Sequence, residues 1–224
     1  MDGIKMPKVV VNFKVYPQAM GASALNLARV CDDVAHEAGA EIIIAPPMTE
    51  LSRIAGEVDI PVFAQHADPV AVGSSTGYVP LELVRESGAS GVIINHSEHR
   101  MGMADIEFLV KKSRYLGLET IVCSNNVSVS AAAAAFNPNY VAIEPPELIG
   151  GDVSVTTANP VIVSDSVGEV KRISPDVAVL CGAGVKNGDD VKKALELGAE
   201  GVLLASGVVK AKDPKEVLLD LLGY

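Results

Sequence analysis

Tryptophan is absent from the 224 residues, and phenylalanine and tyrosine bring the aromatic share to only 4%. Hydrophobic residues still make up 49%, so the core they form must be aliphatic and rich in alanine. Cysteine is scarce as well: Cys31, Cys123 and Cys181 are an odd, widely spaced set with no Cys-x-x-Cys pair. That argues against a disulfide scaffold or a cysteine zinc site and fits a reducing compartment. Positive charge is in deficit, 18 Lys and Arg against 28 Asp and Glu, and the resulting −10 is the wrong sign for a nucleic-acid footprint. No apolar run approaches the roughly 18 residues of a membrane span, and the opening residues lack the apolar segment of a secretory signal. A soluble, cytoplasmic protein without nucleic-acid or membrane partners is expected. A small anionic substrate stays open, because backbone dipoles can dominate inside a pocket.

What the chain does contain is a repeated alternation. Short, nearly continuous apolar runs occur at Lys8–Asn12, Glu41–Ala45, Pro61–Gln65, Gly91–Asn95, Glu119–Cys123, Tyr140–Ile143, Val177–Cys181 and Gly201–Ala205. Runs of this kind read as parallel strands covered on both faces. Between them, residues 21–38, 104–117, 158–173, 187–197 and 213–222 carry apolar residues at helical spacing. Gly39, Gly88, Gly117 and Gly198 stand where a helix would stop just before the next strand. Eight strands, each followed by helix-compatible sequence, predict one (β/α)8 barrel over residues 1–224. A doubly wound open sheet is the alternative, although the Gly-x-Gly-x-x-Gly turn of a dinucleotide site is missing after the first run.

In such a barrel the reacting groups stand at the C-terminal strand ends. Read there, the chain offers Asn12-Phe13-Lys14, Gln65-His66, Asn95-His96-Ser97-Glu98, Ser124-Asn125-Asn126, Glu144, Gly182-Ala183-Gly184 and Ser206-Gly207. A lysine, a histidine and a glutamate on one rim suit proton abstraction beside a carbonyl. Glu144 would be the base, made a stronger proton acceptor by desolvation. His96 and Lys14 would stabilise the enediolate oxygens, with His96 kept neutral by the helix start expected just after it. Asn12 would bind the same oxygens or hold Lys14. The glycine-rich ends of the last two strands would surround a phosphate with backbone N–H groups.

Each residue alone has a plainer reading. Lys14 could be a solvated loop lysine, His96 a structural histidine, Glu98 a helix cap or a partner for Lys14, and the glycines a tight turn. Cys123 and Cys181 read as small core residues. His36 reads as solvated, and His66 and His99 as structural. Joint placement on one rim carries the functional reading.

Asn12-x-Lys14, the run Asn95-His96-Ser97-Glu98-His99-Arg100, the stretch IEPPELIGG from Ile143, and the eighth strand end together resemble the triosephosphate isomerase family. The short chain, VCSNN (Val122 to Asn126) and EPPELIG (Glu144 to Gly150) are similar to its archaeal branch. The resemblance implies interconversion of dihydroxyacetone phosphate and glyceraldehyde 3-phosphate, a step of glycolysis and gluconeogenesis, without metal or organic cofactor. The family is itself the type case of a glutamate base with a neutral histidine electrophile. Carried across, Lys14 and His96 are electrophiles, Glu144 the base, and Asn12 and Glu98 their supports. Ile149, Gly150, Gly184, Ala205 and Ser206 match phosphate contacts. Pro145-Pro146-Glu147 and Val153-Ser154-Val155 would be the hinges of a lid, with Leu148 to Asp152 as its tip. Gly73 to Gly77 resembles a loop that reaches into a neighbouring subunit, which implies a homo-oligomer, a tetramer favoured over a dimer. Three departures stand out: Asp152 after Gly150-Gly151, Ala205-Ser206 where many relatives have two glycines, and His99 in place of a frequent arginine. Two other readings remain, a different phosphosugar isomerase or epimerase on the same barrel, and a silent barrel that binds phosphorylated metabolites.

Overall fold

The computed structural model describes residues 6–145, 148 and 154–224. Eight strands form one parallel sheet: β1 (Lys8–Asn12), β2 (Ile42–Ala45), β3 (Phe63–Ala64), β4 (Gly91–Ile94), β5 (Glu119–Ser124), β6 (Tyr140–Ile143), β7 (Ala178–Cys181) and β8 (Gly201–Leu204). Strand β1 pairs with both β2 and β8, and the order runs β2-β1-β8-β7-β6-β5-β4-β3. A parallel bridge between Ile44 and Val62 brings the two ends of that order together. The sheet is a barrel, and the open-sheet alternative is excluded.

Side-chain alternation explains why the strands are apolar throughout. Val10, Ile43, Phe63, Ile93, Ile121, Tyr140, Leu180 and Leu203 fill the barrel interior. Their neighbours Val9, Val11, Ile42, Ile44, Val92, Ile94, Val122 and Val141 pack outward against the helices. Each buried aliphatic side chain contributes about 1.5–3 kcal/mol. A strand buried on both faces gains roughly twice as much per residue as a half-exposed one, so four-residue strands suffice. Room for the largest interior ring comes from a missing side chain: a Cβ on Gly91 would lie 2.5 Å from Phe63.

The third strand departs from expectation. Of Pro61–Gln65 only Phe63–Ala64 is regular strand, because Pro61 has no N–H for the ladder. Its carbonyl still accepts the Ile44 N–H at 3.1 Å. Beyond it the Gln65 amide takes over the strand's role, donating to Ala45 O at 2.8 Å and Lys14 O at 3.0 Å.

Helices α1 (Gly21–Ala38), α2 (Leu51–Ala55), α3 (Leu81–Glu86), α4 (Met103–Leu116) and α5 (Val127–Ala134) follow the first five strands in turn. Gly39 and Gly117 end α1 and α4 at φ +62° and +74°, conformations that cost glycine nothing. The stretch expected as one helix over 158–173 is two, α6 (Val155–Ala158) and α7 (Pro160–Ile173). Pro160 suits the first position of the second, and Asn159 Oδ1 accepts the Ile162 N–H at 3.3 Å. Helices α8 (Gly188–Glu196), α9 (Ser206–Val209) and α10 (Pro214–Leu221) complete the outer layer. Among the described residues, no helix is long and apolar enough to cross a membrane.

Candidate active site

At the C-terminal rim, the loop after β1 turns back at Lys14, which adopts φ +48°. This left-handed conformation is uncommon for a residue with a side chain, and Asn12 secures it. The Asn12 carboxamide, buried at 5% exposure, accepts the Lys14 N–H at 2.9 Å. Of the two roles open to Asn12, holding Lys14 is thus the one its hydrogen bond serves. The Lys14 ammonium reaches across to Glu98 Oε1 at 2.8 Å. Glu98 is therefore the lysine's partner rather than a helix cap.

The expectation of a helix starting directly after His96 fails. A turn closed by His99 N–H on His96 O at 2.8 Å follows instead, and α4 begins only at Met103. The turn instead engages the His96 ring directly. The Glu98 N–H donates to His96 Nδ1 at 3.2 Å, and a ring nitrogen that accepts a hydrogen bond carries no proton. Nδ1 is thus taken up as an acceptor, which leaves Nε2 to donate. That nitrogen faces Glu144 Oε1 at 3.5 Å.

Glu144 follows β6 and is 3% exposed. Its backbone N–H donates to Ser124 O at 2.8 Å, tying it to the end of β5. Among the described residues Oε2 has no hydrogen-bond partner. Two thiols lie close by: burial, then the nearby Glu144 carboxylate, pushes Cys123 well up, and burial raises Cys181 to about 12. Both stay neutral, as small core residues should.

Asn12, Lys14, His96 and Glu144 line one cavity with Gly184, Ala205 and Ser206. The lining thus combines Lys14, His96 and Glu144 with the loops after β7 and β8. Gly184 sits at φ +70°, and Ala205 and Ser206 open α9, whose first N–H groups have no acceptor within the helix. The far loop is anchored beneath: Val155 N–H donates to Ala183 O at 3.0 Å, and Ser154 Oγ caps α6. Pro146, Glu147, Ile149, Gly150, Gly151, Asp152 and Val153 lie outside the described residues, and with them the two lid phosphate contacts and the Asp152 departure.

The other histidines do not line this cavity. His66 and His99 stack at 3.8 Å beside it, and Asp68 Oδ1 lies 3.2 Å from His66 Nε2. His99 thus replaces an arginine with a ring contact. His36 lies with Asp32 and Asp59, a group close enough to share a cation, near the strand N-termini. Sequence reading missed Tyr16, Val185 and Lys186 in the lining. Their only signal is position, two residues past a named strand-end residue or next to one.

The triosephosphate isomerase family profile matches residues 7–222. The chain belongs to the triosephosphate isomerase family. Among its relatives, the triosephosphate isomerase of Methanothermus fervidus is 52% identical over 216 residues, 96% of this chain and 97% of the other. That of Methanothermobacter thermautotrophicus is 50% identical over 215 residues, covering 96% and 94%. That of Methanocaldococcus jannaschii is 50% identical over 216 residues, covering 96% and 99%. Membership spans the whole barrel, so the cavity residues Lys14, His96 and Glu144 and the glycine-rich loops fall within the triosephosphate isomerase match.

Proposed function

We propose that this protein interconverts dihydroxyacetone phosphate and D-glyceraldehyde 3-phosphate, as an isomerase of glycolysis and gluconeogenesis. Glu144 removes the C1 proton of the ketose, and the C–H electron pair becomes the C1–C2 double bond. Charge collects on the carbonyl oxygen, where the His96 Nε2–H and the Lys14 ammonium stabilise it. After a proton moves between the two oxygens, protonated Glu144 returns its proton to C2 and the aldose forms. Asn12 and Glu98 support Lys14, while Gly184, Ala205 and Ser206, with Ile149 and Gly150, would hold the phosphate. The observation that carries this reading is a buried carboxylate with one oxygen 3.5 Å from His96 Nε2, in a cavity that Lys14 also lines.

The test is a coupled assay with glyceraldehyde 3-phosphate on the parent and on Glu144→Asp. The shorter side chain withdraws the carboxylate by about one bond, and general-base contributions of roughly 10²–10⁴ are at stake. A fall in kcat of about 10²-fold or more is expected. An inactive parent would sink the activity, and a fully active variant would sink the base.

A single catalytic domain, a cytoplasmic location and a homo-oligomer, tetramer before dimer, belong to the same proposal. The oligomer rests on the exposed loop at residues 72–78, where Val72 is 65% and Tyr78 54% exposed. A monomer mass by light scattering would remove it.

A further inference from the structure

Asn95, the residue before His96, combines three unusual features. It adopts φ +59°, which few residues other than glycine accept. It is 6% exposed although polar. Both ends of its carboxamide are also used, Nδ2 donating to Cys123 O at 2.9 Å and Oδ1 accepting the Met101 N–H at 2.9 Å. These partners fix which end is nitrogen. Its own carbonyl accepts from Arg100 Nη1 at 3.0 Å.

Those contacts join two strand ends. The Cys123 carbonyl belongs to β5, and the next carbonyl, Ser124 O, receives the Glu144 N–H. One end of the His96 turn is thus tied to β5 by Asn95, and Glu144 is tied to β5 one residue further on. The Met101 bond closes the same turn from its far side, so the loop carrying His96 is clamped at both ends. We infer that Asn95 is a positioning residue, which sets the His96 imidazole against Glu144 by way of the β5 end. It does not line the cavity that His96 and Glu144 share. The inference rests on the isomerase reading given above.

Two variants separate its features. Asn95→Asp exchanges a single NH₂ for oxygen, so that the Cys123 carbonyl faces an acceptor instead of a donor. Asn95→Gly keeps the left-handed backbone without strain and removes both side-chain bonds. In each, kcat is expected to fall about 10–10²-fold, the loss that accompanies misplacement of a reacting group by about 1 Å. KM should stay within about threefold, because the interaction lost is one made in the transition state. In ¹⁵N-histidine spectra, the His96 signature of an unprotonated Nδ1 and a protonated Nε2 should shift or broaden. A loss of thermal stability alone would not move this tautomer signature.

In Asn95→Gly, kcat within about twofold of the parent would overturn the inference. A raised KM at unchanged kcat would do the same, as would an unaltered His96 spectrum. Failure of both variants to fold would make Asn95 a folding residue and overturn it too. An inactive parent would instead refute the activity, and the His96 spectra would still test the clamp.

Discussion

Gly182 has no side chain where the Glu144 side chain lies: a Cβ there would come 2.5 Å from Glu144 Cγ. Gly182→Ala should therefore push the proposed base out of line. A fall in kcat of about 10²-fold is expected with the barrel intact, checked by steady-state kinetics and circular dichroism together. The sequence reading made Gly182 a backbone donor for phosphate and could not see this second use. Gly182 comes beside Glu144 only through the register of β6 and β7, in which Ile143 faces Cys181. Lys14, His96 and Glu144 were legible because strand ends are, and a barrel puts all strand ends on one rim. The clamp on His96 and the pairing of Lys14 with Glu98 were open or unseen, since they depend on turn geometry that apolar period does not encode.

At the level of elements, the segment between Asp68 and Val79 is closed at its base by two bonds. Asp68 N–H donates to Val79 O at 2.8 Å, and Val79 N–H to Asp68 Oδ2 at 2.7 Å. Burial outweighs the Asp68 bond and holds His66 below its usual 6.5, with His99 adding to the depression. Asp68 lies below 3.8, the Val79 and His66 bonds outweighing its own desolvation. The unfolded chain therefore binds the His66 proton more readily than the folded one, so stability rises with pH through the window just below 6.5. Acidification from pH 7 should lower Tm there, and the Asp68 contribution should be lost later, as pH falls below 3.8. His66→Gln should flatten the first step, and a Tm–pH series on both proteins would check it. Element boundaries were legible where glycine or proline marks them, as at Gly39, Gly117 and Asp213-Pro214. They were not where strand and helix meet through tertiary contact, as in β3 or the break at Asn159.

For the barrel as a whole, the weakest place in the ladder is the β2–β3 side. One bridge and the Gln65 amide span it, while β1 and β8 share four paired residues. Gln65→Leu would leave the Lys14 carbonyl without that donor, while Ala45 O keeps the Phe13 N–H at 2.9 Å. One unmet acceptor costs about 1–3 kcal/mol, so Tm should drop by about 2–4 °C per kcal/mol, and Ile44 amide exchange should quicken. Equal protection of Ile44 in both proteins would contradict this.

The burial of Glu144, at 3% exposure, bears on how such a chain can adapt. Burying a carboxylate works against folding, and the surrounding wall of buried aliphatic side chains must outweigh it. A variant library screened for heat resistance alone would select against this one carboxylate, whereas a screen for turnover would keep it. Gains in heat tolerance that preserve activity therefore have to come from the barrel wall, the helix caps and the surface, away from the rim.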